Sequence, residues 1–168
     1  MAKGKVGIVG LGIMGGAFAQ NLIKAGWHVV GYDIDPARRR TLAKAGVGIA
    51  KDAASLAAAV PTIITSLPKP AALDATVKAI VDAGIKPRVI VEASTFTLDD
   101  KVRAERALRK AGHVMLDCPI SGTGSQAKTR DLVVMPRATA RRSASSSRCS
   151  RASPALPTTS ALSATAAA

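Results

Sequence analysis

An α/β fold, a doubly wound parallel sheet with helices on both faces, is predicted by three observations. Short β-branched runs alternate with Ala-rich helical segments over residues 5–117, the signature of strands joined by helical crossovers. The runs VGIV and VIV are almost continuously apolar, which implies strands buried on both faces rather than on one. A chain of 168 residues with 48% apolar content can also bury one real core.

Taken in order, KVGIVG is the first strand and residues 14–25 the first helix. WHVVGYD follows as the second strand, with a helix over 36–45, a weaker strand at VGIA and a helix over 52–59. TIITSL, a helix over 70–83, RVIVEA, a helix over 99–111 and HVMLD complete the alternation, and DLVVM at 131–135 reads as one more strand. Punctuation supports these bounds. Asp35 before Pro36 suits an N-cap followed by proline at the first helical position, and Gly26, Gly46, Gly84 and Gly112 stand where helices stop.

Residues 136–168 break the pattern. They contain no Val, Ile, Phe, Tyr or Trp, and their apolar content is nearly all Ala, so they cannot bury enough surface to offset the entropy of ordering and are expected to be disordered. Much of the net charge of +13 sits there, in Arg137, Arg141, Arg142, Arg148 and Arg151 without an acid. The other cations are scattered beside Asp33, Asp35, Asp99 and Asp100, as on solvated helix faces. With an aromatic content of 2% the chain lacks the stacking platforms of a single-strand binder, and no nucleic-acid partner is expected. No charged leader with a cleavage site and no apolar run of bilayer length occurs, which predicts a cytoplasmic protein without a membrane partner. Cys118 and Cys149 form neither a disulfide framework nor a metal-ligand pattern, so no metal is expected.

The chemistry begins at Gly10-Leu11-Gly12-Ile13-Met14-Gly15, between the first strand and the first helix. In that context the first glycine permits a tight turn and the second lets a pyrophosphate approach the backbone. The third allows close packing of helix on strand, and the helix N-terminus offers N–H groups to phosphate. A Rossmann-type dinucleotide-binding domain over residues 1–135 is the reading. Asp33, at the end of the second strand, stands where an acid accepts hydrogen bonds from the adenine ribose, which favours NAD over NADP. Arg38, Arg39 and Arg40 keep NADP open, since one of them could pair with a ribose phosphate, although a solvated face suits them better. Asp35 serves as the cap rather than as a second ribose ligand. His28 and His113 each start a strand at the edge away from the cofactor and are read as structural.

The string GIVGLGIMGGAFAQNL resembles the amino-terminal signature of the β-hydroxyacid dehydrogenase family, which includes 3-hydroxyisobutyrate and 6-phosphogluconate dehydrogenases. IITSLPKPAAL, EASTFT and LDCPISGTGSQAKTRDL resemble three further family segments in order and spacing. The resemblance implies that Gly10, Gly12 and Gly15 form the phosphate loop, with Ile13 and Met14 offering backbone N–H groups. It implies that Leu67, Pro68 and Thr95 line the cofactor cleft, and that Ser121, Gly122 and Thr123 belong to the substrate segment. Thr123 replaces the second glycine after serine, Gln126 and Arg130 stand where many members have glycine, and Glu92 receives no role. The family's reaction is hydride transfer between NAD(P) and a small β-hydroxy acid, in oligomers that commonly form through a second domain. Its catalytic lysine lies on a later helix, and no lysine follows Lys128, so no catalytic residue is assigned and the chain is expected to bind cofactor without turnover. Residues 161–166 and 148–154 can be back-translated and regrouped to GAFGNG and AVLEGFA, which resemble the family's continuation. The tail is therefore either a disordered extension or a stretch read out of frame.

Overall fold

The computed structural model describes residues 3–129, 131, 133 and 134. Six strands form one sheet: β1 (Lys5–Val9), β2 (His28–Tyr32), β3 (Gly48–Ile49), β4 (Thr62–Thr65), β5 (Val89–Glu92) and β6 (Val114–Asp117). Their spatial order is β3-β2-β1-β4-β5-β6, and every pairing in that sheet is parallel. From β1 the chain works outward to β3, then returns to the other side of β1 to lay down β4. The strand order thus reverses between β1 and β4, where the ends of neighbouring connections diverge and leave a crevice at the carboxyl edge of the sheet.

The crossovers are α1 (Ile13–Lys24), α2 (Pro36–Lys44), α3 (Ala53–Ala59), α4 (Pro70–Asp82) and α5 (Leu98–Lys110). Alternation along β1 divides the core into two layers. Val6 and Ile8 pack with Phe18 and Leu22 of α1 and Leu42 of α2, while Val9 packs with Leu56, Leu73, Ile80 and Leu108 of α3, α4 and α5. Ile8, Leu56, Ile63, Leu73 and Leu108 are completely buried, and each large aliphatic side chain so removed from water contributes about 1.5–3 kcal/mol. Among the described residues no helix is long and apolar enough to cross a membrane.

Local signals behave as read. Asp35 caps α2 by accepting a hydrogen bond from Ala37 N at 2.8 Å, and Gly26, Gly46, Gly84 and Gly112 all have positive φ just past helix ends. The last of the long helices starts one residue earlier than expected, because the Thr97 side chain accepts from Asp100 N as its cap. Asp99 and Asp100 then lie in the first turn and Arg109 and Lys110 in the last, each favourable with the helix dipole. The weak VGIA strand shrinks to Gly48–Ile49.

DLVVM does not extend the sheet. Val133–Val134 pairs antiparallel with Ile120–Ser121 in a separate ribbon, β8 with β7, and between them lies a short helix, α6 (Gly124–Thr129), beyond the helices expected from the sequence. A further parallel strand needs a long crossover lying across the sheet, whereas α6 packs on α1, where Asn21 Nδ2 donates to Ala127 O at 2.8 Å. The readings placed on residues 136–168, and on Cys149, lie outside the described residues.

His113 is structural, as expected. It is buried, and its Nδ1 accepts from Arg88 N at 3.1 Å. Burial first, and then the Arg88 charge, push its imidazole below the ordinary value. The unfolded chain therefore takes up this proton at a higher pH than the folded chain, so stability is full above the unfolded value and falls as the pH drops through about 6.5. The urea midpoint is expected to decline between about pH 7.5 and 5.5, and to decline less in His113→Asn, whose amide oxygen can replace the Nδ1 acceptor. An identical decline in both proteins would remove His113 as the cause.

Candidate functional site

At the crevice between β1 and β4 the chain turns through Gly10, whose φ is +92° and whose N–H donates to Tyr32 O at 2.9 Å. A Cβ on Gly10 would stand 2.1 Å from the carbonyl oxygen of Ser66, and a Cβ on Gly15 would stand 1.8 Å from the carbonyl oxygen of Gly10. These two glycines let the loop, the end of β4 and the first turn of α1 interlock. Gly12 differs, because a Cβ there would meet only the guanidinium of Arg38, at 3.5 Å. It is the N-cap of α1, without a side-chain cap and without an acid in the first turn. The first N–H groups of α1, including those of Ile13 and Met14, and the positive end of its dipole are left for an anion.

Asp33 closes the adjacent side. It is buried, accepting from Leu11 N at 2.7 Å through Oδ2 and from Asp35 N at 2.8 Å through Oδ1. A carboxylate has about four acceptor positions, and with Arg38 Nη1 donating to Oδ2 at 3.4 Å as well, one remains on Oδ1 for a hydroxyl donor. Arg38 is exposed on its helix face, as expected, and also reaches the two acids. Its Nη1 lies 3.4 Å from Asp33 Oδ2 and its Nε 3.6 Å from Asp35 Oδ2, with the side chain half exposed. Arg39 lies over the Tyr32 ring at 6.0 Å, and Arg40 is exposed.

Across the crevice, Leu67 N donates to Ser94 Oγ at 2.9 Å, which joins the loop after β4 to the loop after β5. Leu67 is half-buried beside Gly10, while Pro68 and Thr95 are exposed on the rim. Ser121, Gly122 and Thr123 are also exposed. They come close to the glycine loop because a Cβ on Gly124 would fall 2.3 Å from Ile13 Cγ2. Residues from four segments far apart in sequence therefore surround one edge of the sheet.

The departures at Thr123 and Gln126 have a local explanation. Thr123 N donates to Gln126 Oε1 at 2.8 Å, and Gln126 N donates to Thr123 Oγ1 at 3.4 Å. This is the reciprocal cap of a Thr-x-x-Gln start, and it is the signal in the sequence that could have revealed α6.

Sequence reasoning missed a buried charge cluster beneath the rim. Glu92 and Asp117 are register partners at the ends of β5 and β6. Lys101 of α5, expected on a solvated face, is buried with its Nζ 2.5 Å from Asp117 Oδ1 and 2.9 Å from Glu92 Oε2. Burial pulls the ammonium down, but the hydrogen bond it donates to Asp117 and the charges of Glu92 and Asp117 outweigh it and hold Lys101 above the ordinary lysine value. The spacing of Lys101, Ala104 and Leu108, the buried positions of α5, puts a cation in the apolar stripe and was the available clue. Nearby Cys118 is buried, and burial followed by the Asp117 charge raises its thiol, which suits an inert cysteine. Among the described residues no group of three or more His, Cys, Asp or Glu could hold a metal ion.

The family model for the NAD binding domain of 6-phosphogluconate dehydrogenase matches residues 5–161. The chain belongs to this family. As an NAD-binding domain it has its glycine loop at the position of the strand-order reversal, and the family match continues past Met135, the boundary inferred from composition. Mitochondrial 3-hydroxyisobutyrate dehydrogenase of Rattus norvegicus is 32% identical over 137 residues, covering 80% of this chain and 41% of that protein. The 2-(hydroxymethyl)glutarate dehydrogenase of Eubacterium barkeri is 28% identical over 134 residues, covering 78% and 44%. The solved structure of Mycobacterium tuberculosis 3-hydroxyisobutyrate dehydrogenase with L-serine superposes with a TM-score of 0.76 at 27% identity, over 81% of this chain and 46% of that one. The chain thus spans about two fifths of the length of the curated relatives it matches.

Proposed function

We propose that this NAD-binding domain supplies the cofactor half of a site for hydride transfer between a nicotinamide and a small β-hydroxy acid. The observation that carries the reading is the contrast among the three loop glycines, two locked against backbone carbonyls and the third open in front of an uncapped helix. Gly12, Ile13 and Met14 would hold the pyrophosphate through backbone N–H groups, and the acceptor position left on Asp33 Oδ1 would take an adenine ribose hydroxyl. When bound, NAD supplies the hydride acceptor, and the protein's part is orientation and electrostatics.

Leu67, Pro68 and Thr95 form the rim expected beside the nicotinamide. Ser121 and Gly122 would receive the substrate carboxylate or hydroxyl. Thr123 would contribute backbone only, since its hydroxyl is engaged with Gln126. Arg38, within reach of Asp33, is the group that would accept the extra phosphate of NADP. The resemblance implies a catalytic lysine on a helix after the dinucleotide domain, and none follows Lys128 in the 168 residues, so these residues by themselves are expected to bind NAD without oxidising a hydroxy acid.

Calorimetric titration with NAD tests the site. Asp33→Ala is expected to weaken binding several-fold, a loss on the order of 1 kcal/mol, in a chain whose circular dichroism is unchanged. Equal affinity for mutant and parent would take Asp33 out of the site.

A further inference from the structure

We infer that Lys101 is a positioning residue for the nicotinamide half of the cleft, acting through Glu92 and Ser94 on the backbone of Leu67. The inference rests on the reading of Leu67, Pro68 and Thr95 as the lining of that half. Lys101 itself lies beneath the rim, reaching from α5 to the ends of β5 and β6. Its influence on the rim follows a continuous set of contacts.

Glu92 is completely buried and uses its two oxygens differently. Oε1 accepts from Ser94 N at 2.9 Å and from the Thr65 hydroxyl at 3.4 Å. Oε2 makes no hydrogen bond, and the Lys101 ammonium, 2.9 Å away but out of line, is the charge that holds it. Ser94 in turn accepts from Leu67 N through Oγ at 2.9 Å. The set therefore runs from Lys101 to Glu92, to Ser94 and to Leu67, and it joins the two loops that carry Pro68 and Thr95.

A buried carboxylate stays in place only while a neighbouring charge compensates it. Without the ammonium, Glu92 and Asp117 face each other as register partners and repel. The nearest relief for Glu92 is a turn towards water at the carboxyl edge of the sheet, which gives up the bond to Ser94 N. Ser94 then loses the support that fixes its hydroxyl beneath Leu67. Asp33, Gly12 and the first turn of α1 lie on the far side of β1 and take no part in this set.

The test compares two ligands on the full chain. NADH contains the nicotinamide, whereas ADP-ribose stops at the second ribose and reports the pyrophosphate and adenine half alone. Lys101→Met and Ser94→Ala are each expected to weaken NADH binding about fivefold, the loss expected from one hydrogen bond, and to leave ADP-ribose affinity within about twofold. Ser94→Ala removes the last link without stranding a buried charge, so unchanged NADH affinity in that variant overturns the proposal even if Lys101→Met fails to fold. Equal losses for both ligands in either folded variant also overturn it, because general loosening of the domain predicts that result. If the parent binds NADH no more tightly than ADP-ribose, the assignment of the rim to the nicotinamide fails and the proposal falls with it. A parent that prefers NADH, with variants that keep the preference, removes only the role of Lys101.

Discussion

Gly10→Ala is expected to destabilise the domain by about 3 kcal/mol or more and to abolish NAD binding. Two separate penalties meet at this position. The φ of +92° is one that residues with a Cβ rarely adopt, and the added carbon would stand 2.1 Å from the Ser66 carbonyl oxygen. That oxygen belongs to backbone tied to β1 by the bond from Ser66 N to Val9 O at 2.9 Å, so it cannot move aside without breaking the strand pairing. Gly12→Ala provides the contrast. Its methyl would meet only the end of a flexible arginine at 3.5 Å, so stability is expected to change by less than about 1 kcal/mol. Cofactor affinity should nevertheless fall, because the methyl would occupy the place proposed for the approach of the pyrophosphate to the backbone. Urea melts and NAD titrations of the two variants separate the effects. A Gly12→Ala protein that binds NAD like the parent would show that the phosphate does not pass over Gly12.

Lys101→Met should be the most damaging change of a charged residue, at about 3–5 kcal/mol, because it strands two carboxylates away from water. Lys78 offers a control with the same contact distance, since both Lys78 Nζ to Asp82 and Lys101 Nζ to Asp117 are 2.5 Å. Burial separates them. The Lys78 side chain is 76% exposed and that of Lys101 only 7%. Water and salt screen the exposed i,i+4 pair, and Lys78→Met should cost no more than about 0.5 kcal/mol. Urea denaturation of both variants checks the ratio. Comparable losses would mean that the buried cluster is solvated in solution.

Both results mark what could and could not be read from residue order. The strand and helix alternation, the caps, the helix stops and the GxGxxG turn are local. Each depends on neighbours a few positions away, and those neighbours are printed in the sequence. Asp33 was legible for the same reason, through its place at the end of a strand. The Thr123 and Gln126 cap was equally local and was obscured by reading those positions only as departures from a family pattern.

What the sequence by itself determined is the parallel α/β architecture, the glycine turn between β1 and α1 and the place of the acid beside it, because backbone sterics, hydrophobic period and capping act over short separations. Tertiary structure alone decided the rest. It brought the exposed Arg38 to Asp33, and it brought Gly124 against Ile13. It also closed Lys101 over Glu92 and Asp117, which are neighbours only because β5 and β6 lie side by side in register. The physical reason is that the strength of a charge or a contact depends on burial and on what the sheet places beside it, and neither quantity is carried by spacing along the chain.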